Sequence, residues 1–112
     1  MPRSEARVAT DRSARYAKQL AAHMGRKIQA DWSEETGHGT FVFSTGTATL
    51  EATPEALLLA VEGATENLPG LEDVVGRHLV RFGARDELVV EWHRDNGEPG
   101  HVHRNDEDPA EG

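Results

Sequence analysis

A single domain of the α+β class is what this sequence predicts, and three observations predict it. Two stretches carry apolar residues at helical spacing, and six short stretches alternate apolar with polar side chains at strand spacing. Four of the strand-like stretches also follow one another with no helix between them. Consecutive strands joined by tight links form an antiparallel sheet, and two helices with one apolar side each must cover one face of it.

The first strand is expected at Glu5–Thr10, where Ala6 and Val8 alternate with Arg7 and Ala9. Thr10 or Asp11 then offers an N-cap. The helix that follows runs to Met24 with Tyr16, Ala17, Leu20, Ala21 and Met24 on its apolar side, and Gly25 ends it. Ile28, Ala30 and Trp32 form the next inward row, Ser33–Gly39 reads as a loop, and Phe41 and Phe43 resume the alternation. Thr45-Gly46 is the expected hairpin turn into Ala48, Leu50 and Ala52. Thr53-Pro54-Glu55 breaks that strand before Leu57, Leu59 and Val61.

The second helix starts either at a Thr65 cap or near Pro69, whose missing N–H is harmless in a first turn. At about 100° per residue, Leu71, Val74, Val75, His78, Leu79 and Phe82 share one side of it. Gly83 stands where a C-cap favours glycine. Leu88, Val90 and Trp92 form the last strand and share a core with Phe82. Asn96–Gly112 then holds three glycines, two prolines, five acids and no apolar side chain larger than Val102. That is the composition of a disordered acidic tail, so the reading is a domain over 1–95 and a tail over 96–112.

The order β-α-β-β-β-β-α-β is similar to one repeat of the TATA-binding-protein-like fold with an extra terminal strand. The sheet face opposite the helices would then show Arg7, Lys27, Asp31, Glu51, Glu62, Glu91 and His93. More acids than bases is the wrong sign for a DNA-binding saddle. The whole chain has a net charge of −8. Residues 1–30 carry seven Arg or Lys against two acids, and the rest carries five against eighteen. Nucleic acid is therefore not an expected partner. No apolar run approaches the ~20 residues of a membrane span, and the first residues lack a signal-peptide core, so the expected location is the cytoplasm. With no cysteine, disulfides and thiolate metal sites are excluded.

Histidines are the first place to look for chemistry. His23 lies on the edge of the first helix's apolar stripe and His78 in the middle of the second's. Two helices packed side by side could bring them together. Two imidazoles with a carboxylate can hold a metal or haem, and one can serve as a general base. A histidine on an apolar helix side is more commonly a neutral core residue bonded to a carbonyl, and no His-x-x-x-His or His-Glu-x-x-His spacing supplies a local ligand pair. The expectation is a satisfied core pair, with ligation and catalysis as the functional alternatives. Tyr16, Arg81 and Arg85 join His23 and His78 as candidate ligand-binding residues. Arg81 and Arg85 are read first as a charge network with Asp86 and Glu87. His101-Val102-His103, beside Asp106, Glu107 and Asp108, could hold a divalent ion weakly. Gly37-His38-Gly39 reads as a loop tip. No phosphate-cradling loop, dinucleotide fingerprint or Gly-x-Ser-x-Gly elbow is present.

Tyr16, Gln19-Leu20, His23 and Lys27 form the pattern YxxQLxxHxxxK. Gly76, His78-Leu79, Arg81-Phe82, Arg85 and Glu87 form GxHLxRFxxRxE, with Trp92 after it. From about Glu5 to His93 the chain resembles a small bacterial family, domain of unknown function 2218. Many members carry a second histidine where this chain has Arg26. The resemblance assigns no catalytic residue and no cofactor. Some relatives lie beside, or are fused to, siderophore-interacting flavin reductases, which implies a link to iron acquisition. The expected function is a non-catalytic binding or accessory module, with a siderophore-interacting reductase or a second copy of the chain as partners to consider. The competing reading is a metal-, haem- or siderophore-binding protein using His23 and His78, and a small-molecule enzyme comes third.

Overall fold

In a computed structural model, residues 2–82, 88–95 and 97–104 are described. The elements are β1 (Arg3–Ala9), α1 (Ser13–Met24), β2 (Gln29–Ser33), β3 (His38–Phe43), β4 (Gly46–Ala52) and β5 (Ala56–Gly63). A 3-10 turn at Thr65–Asn67 leads into α2 (Leu68–Phe82), followed by β6 (Val89–Arg94) and β7 (Pro99–Arg104). They form a seven-stranded antiparallel sheet in the order β2-β3-β4-β5-β1-β6-β7. Both helices pack against one face of it and against each other. The α+β class and the succession from β1 to β6 agree with the sequence pattern.

The alternation of side chains sets the sheet. Ser4, Ala6 and Val8 of β1 are buried while Glu5, Arg7 and Ala9 face away. Full pairing with β5, from Arg3↔Glu62 to Ala9↔Ala56, places β1 in the interior of the sheet. Phe41, Ala48, Leu50, Leu57, Leu59, Val61, Val90 and Trp92 supply the rest of the covered face. Onto it α1 lowers Tyr16, Ala17, Leu20, Ala21 and Met24, the residues its periodicity named. At ~25 cal/mol per Å² of apolar area removed from water, this shared core is the main force holding helices to sheet.

Five local expectations shift. The loop expected at Ser33–Gly39 narrows to residues 34–37, because Ser33 ends β2 and His38 and Gly39 open β3. The hairpin residues are Ser44-Thr45 rather than Thr45-Gly46, because Phe43 pairs with Gly46. Residue 12 occupies the cap of α1 without a side-chain cap bond, while the Thr10 hydroxyl accepts from the Arg12 N–H. Lys27 precedes β2, its N–H bonded to the Met24 carbonyl in a turn, so it is not part of the open face. The start of α2 combines the two alternatives, a 3-10 turn from Thr65 and α-helix from Leu68.

The larger difference is at the C-terminus. Residues 99–104, expected to begin the tail, form β7 on the edge of β6. The Gly97 N–H bonds the Arg94 carbonyl, and Gly97 takes φ 89°, a value open to glycine. Proline opens β7, a position where its missing N–H breaks no ladder bond. Glu91 pairs with Val102 and His93 with Pro99, so Gly100 and His101 together oppose Trp92 in a β-bulge. The expected Gly83 cap, Arg85, the side chain of Phe82 and residues 105–112 lie outside what is described.

Candidate functional site

The packing of α1 on α2 brings His23 and His78 together, their ring centroids 4.8 Å apart and tilted by 42°. His23 stands in the last turn of α1. His78 Nδ1 lies 2.6 Å from the Val74 carbonyl oxygen, one turn back along α2. A carbonyl can only accept, so Nδ1 donates its proton there and the neutral ring keeps its lone pair on Nε2. Bonding to a backbone carbonyl agrees with the expectation for a neutral histidine. Its position in the core does not, for both rings are half-buried.

The reason lies in the helix itself. The buried residues of α2 include Leu68, Leu71, Glu72, Val75, Gly76 and Leu79. At about 100° per residue, the centre of that stripe is displaced toward Glu72, which leaves Val74 and His78 on its margin, toward α1. The expected stripe left out Glu72, which is buried, and so was turned toward His78.

Around the pair the charge is positive. Partial burial holds the His23 imidazole below the ordinary histidine range, and His78, Arg26, Lys27 and Arg81 reinforce the shift. His23 is therefore kept neutral, the form that ligates metals or accepts protons. Arg81, exposed on α2, belongs to this surroundings. Tyr16 does not, since it is buried two helical turns before His23, about 10 Å along the axis. Among the described residues no group of three or more His, Cys, Asp or Glu side chains is placed to hold a metal ion. The pair offers two nitrogen donors and no carboxylate.

A second polar centre went unread in the sequence. Glu72 is completely buried, and its Oε2 accepts 2.6 Å from the Ser4 hydroxyl and 3.1 Å from Arg94 Nε. Its Oε1 accepts 3.1 Å from the other end of the Arg94 guanidinium and 3.3 Å from the His101 N–H, with His101 Nδ1 at 3.1 Å. Burial alone would push the Glu72 carboxyl up, but the hydrogen bonds from Arg94, Ser4 and His101 outweigh it and hold the group below its ordinary value. Next to it, His103 Nε2 lies 3.3 Å from Asp73 Oδ1.

Glycine admits both strand contacts. A Cβ at Gly76 would sit 2.5 Å from His103 Nδ1, and one at Gly100 would sit 2.6 Å from Glu72 Oε2. With every carboxylate lone pair engaged, Glu72 fastens β1, β6 and β7 to α2 rather than facing a ligand. His101 and His103 are accordingly partners of Glu72 and Asp73 within the fold. The signal that could have found Glu72 is its spacing, four residues after Leu68 and three before Val75.

Among solved structures, the NMR structure of PA4090 from Pseudomonas aeruginosa is 29% identical to this chain, with a TM-score of 0.69. The match covers 83% of this chain and 96% of that one. A comparison with curated proteins finds no match. Residues 5–93 match a family described as an uncharacterised protein conserved in bacteria, a span that takes in His23, Glu72 and His78 and stops before β7. The chain belongs to that family, domain of unknown function 2218.

Proposed function

We propose that the chain is a small accessory module of metal handling that takes a divalent first-row ion between His23 and His78. The observation that carries this reading is the pair itself, two imidazoles 4.8 Å apart with the Nδ1 proton of His78 committed to the Val74 carbonyl. With metal–nitrogen bonds of about 2.0–2.1 Å, two rings on one ion have centroids roughly 4.5–5.5 Å apart. A ligating histidine almost always donates its other ring N–H to a carbonyl or carboxylate, which fixes ring and tautomer. The Val74 bond has that form. Imidazole suits Fe(II), Ni(II), Cu(II) and Zn(II) better than hard cations. Two protein donors leave coordination positions for other ligands, and Arg26, Lys27 and Arg81 favour anionic ones such as phosphate or a carboxylate. The link to siderophore-interacting reductases that the resemblance implies favours Fe(II), the product of ferric reduction, as the cargo and such a reductase as the partner.

The test is thermal melting with Fe(II) under anaerobic conditions and, separately, with Zn(II), each with and without phosphate and chelator. An ion present at 100 times its Kd stabilises the fold by about 2.7 kcal/mol, roughly 10 °C or more in a domain of this size. The shift is expected in the parent and not in His78→Gln or His23→Gln, each melting cooperatively on its own. A parent whose melting temperature ignores both ions rules the site out.

A further inference from the structure

The sheet face away from the helices is concave over β1, β3, β4, β5 and β6, where it encloses a cleft of about 490 Å³. Ligand pockets for small molecules fall in the range of roughly 300–1,000 Å³. The cleft floor is apolar at Leu58 and Ala60, neighbours on one side of β5. Register then fixes what surrounds them. Leu58 stands between Glu51 of β4 and Arg7 of β1, and Ala60 between Thr49 and Glu5. His38 lies beyond Glu51, and His93 beyond Glu5.

Part of this charge is paired within the rim. Arg3 Nε lies 2.6 Å from Glu5 Oε2, and Arg3 Nη1 lies 2.9 Å from Glu62 Oε2. Glu51 has His38 Nε2 at 3.9 Å, an ion pair only while that imidazole is protonated. Arg7 is the exception, for among the described residues it makes no ion pair and no side-chain hydrogen bond. Its guanidinium belongs to a row that places it immediately beside Leu58. A planar fork of N–H donors is the geometry that binds a carboxylate through two parallel bonds. An unpaired guanidinium next to an apolar floor complements a ligand with an apolar body and one carboxylate.

We infer that this cleft is a binding site for a small monocarboxylate, its apolar part on Leu58 and Ala60 and its carboxylate on Arg7. Glu5, Glu51 and Glu62, which outnumber Arg3 around the floor, limit the site to one anionic group. Because His23 and His78 ride on helices over the opposite face, this site stands or falls independently of the metal reading.

Octanoate, octylammonium and octanol separate the contributions of charge and apolar surface, since they share one chain and differ in the head group. Each is titrated into the metal-free protein while backbone amide NMR signals are followed. Octanoate is expected to shift Arg7, Thr49, Leu58 and Ala60 saturably and to bind about tenfold more tightly than octanol, the factor that roughly 1.4 kcal/mol represents. In Arg7→Gln, whose exposed site leaves the core untouched, that preference should vanish while the weaker octanol binding stays. Binding in which the three compounds are equal, a preference for octylammonium, shifts confined to α1 and α2, or no saturable shift at all would each overturn the assignment. Shifts of the same amides with protein concentration alone would instead identify a second copy of the chain as the occupant and overturn it too.

Discussion

The two helices cover the same sheet by different means, and the difference shows which part of a fold can be read from sequence. α1 is seated mainly by apolar contact, through Tyr16, Ala17, Leu20, Ala21 and Met24, and its one buried hydroxyl, Ser13, donates to the Thr53 carbonyl. α2 also buries apolar residues, but its stripe carries a carboxylate that no water reaches, held by Ser4, Arg94 and His101 from three strands. Apolar seating tolerates substitution in proportion to volume lost. A buried ion pair behaves differently, because losing one partner strands the other's charge.

Removing β7 should therefore have the largest effect. A chain ending at Asp95 loses the ladder on β6, the His101 bonds to Glu72 and the seating of His103 against Gly76. A tail of the expected kind would cost under about 0.5 kcal/mol on deletion, as surface changes do. The strand should instead cost more than about 4–5 kcal/mol, much of the 5–15 kcal/mol available to a small domain. Chemical denaturation of the truncated chain checks this. A midpoint within error of the parent's would mean that β7 adds nothing to the core.

Glu72→Gln comes next. The substitution keeps the shape and leaves the Arg94 guanidinium, 15% exposed, without its counter-charge. Breaking a buried pair by removing one partner costs about 3–5 kcal/mol. Replacing both, as Glu72→Gln with Arg94→Met, should recover part of that loss, since the stranded charge goes with its partner. On the apolar side, Leu20→Ala should cost roughly 2–5 kcal/mol, and Leu20→Met under about 1.5 kcal/mol. A double variant no more stable than Glu72→Gln alone would erase the distinction between the two seatings.

This contrast also marks where the sequence was legible. The inward rows of β1 to β5, the apolar side of α1 and the Trp92 strand were all written in apolar periodicity, and the structure follows them. What escaped notice was polar. Glu72 sits at a helical spacing that belongs to the stripe, yet a charge is assigned to solvent until partners are known, and Ser4 and Arg94 lie far from it in sequence. The absence of Glu72 turned the expected stripe and placed His78 in the core instead of on its margin. β7 was missed for the same reason. Its inward contacts come from Gly100, His101 and His103, which show no apolar alternation, and their acceptors are Glu72 and Asp73. Only Asn96-Gly97 announced the hairpin, a strong turn signal set among acids and prolines that spoke for disorder. For the candidate site, the proximity of His23 and His78 could be anticipated from two stripes facing one sheet, whereas the open-face cleft depends on strand register.

The smallest expected effect separates the two seatings by pH. An unfolded histidine titrates near 6.5, and the folded His23 takes its proton only at lower pH, for the reasons of burial and neighbouring positive charge given above. The unfolded chain then binds more protons in that window, so stability contributed by keeping His23 neutral is full above pH ~6.5 and falls as the pH drops below it. Glu72 acts lower down. Its folded carboxyl titrates below the ordinary value of 4.5, so its contribution is present above that pH and is lost as the pH falls through the folded value. Urea midpoints measured from pH 8 to pH 3, with chelator present, should thus show a shallow decline beginning near 6.5 and a steeper one below 4.5. In His23→Gln the shallow step should diminish and the acid one persist. His101 and His103, which face Glu72 and Asp73, are common to both proteins and cancel in the difference. A parent and a His23→Gln protein whose profiles run parallel from pH 8 to pH 5 would show that the imidazole at the α1–α2 contact is as easily charged in the fold as outside it.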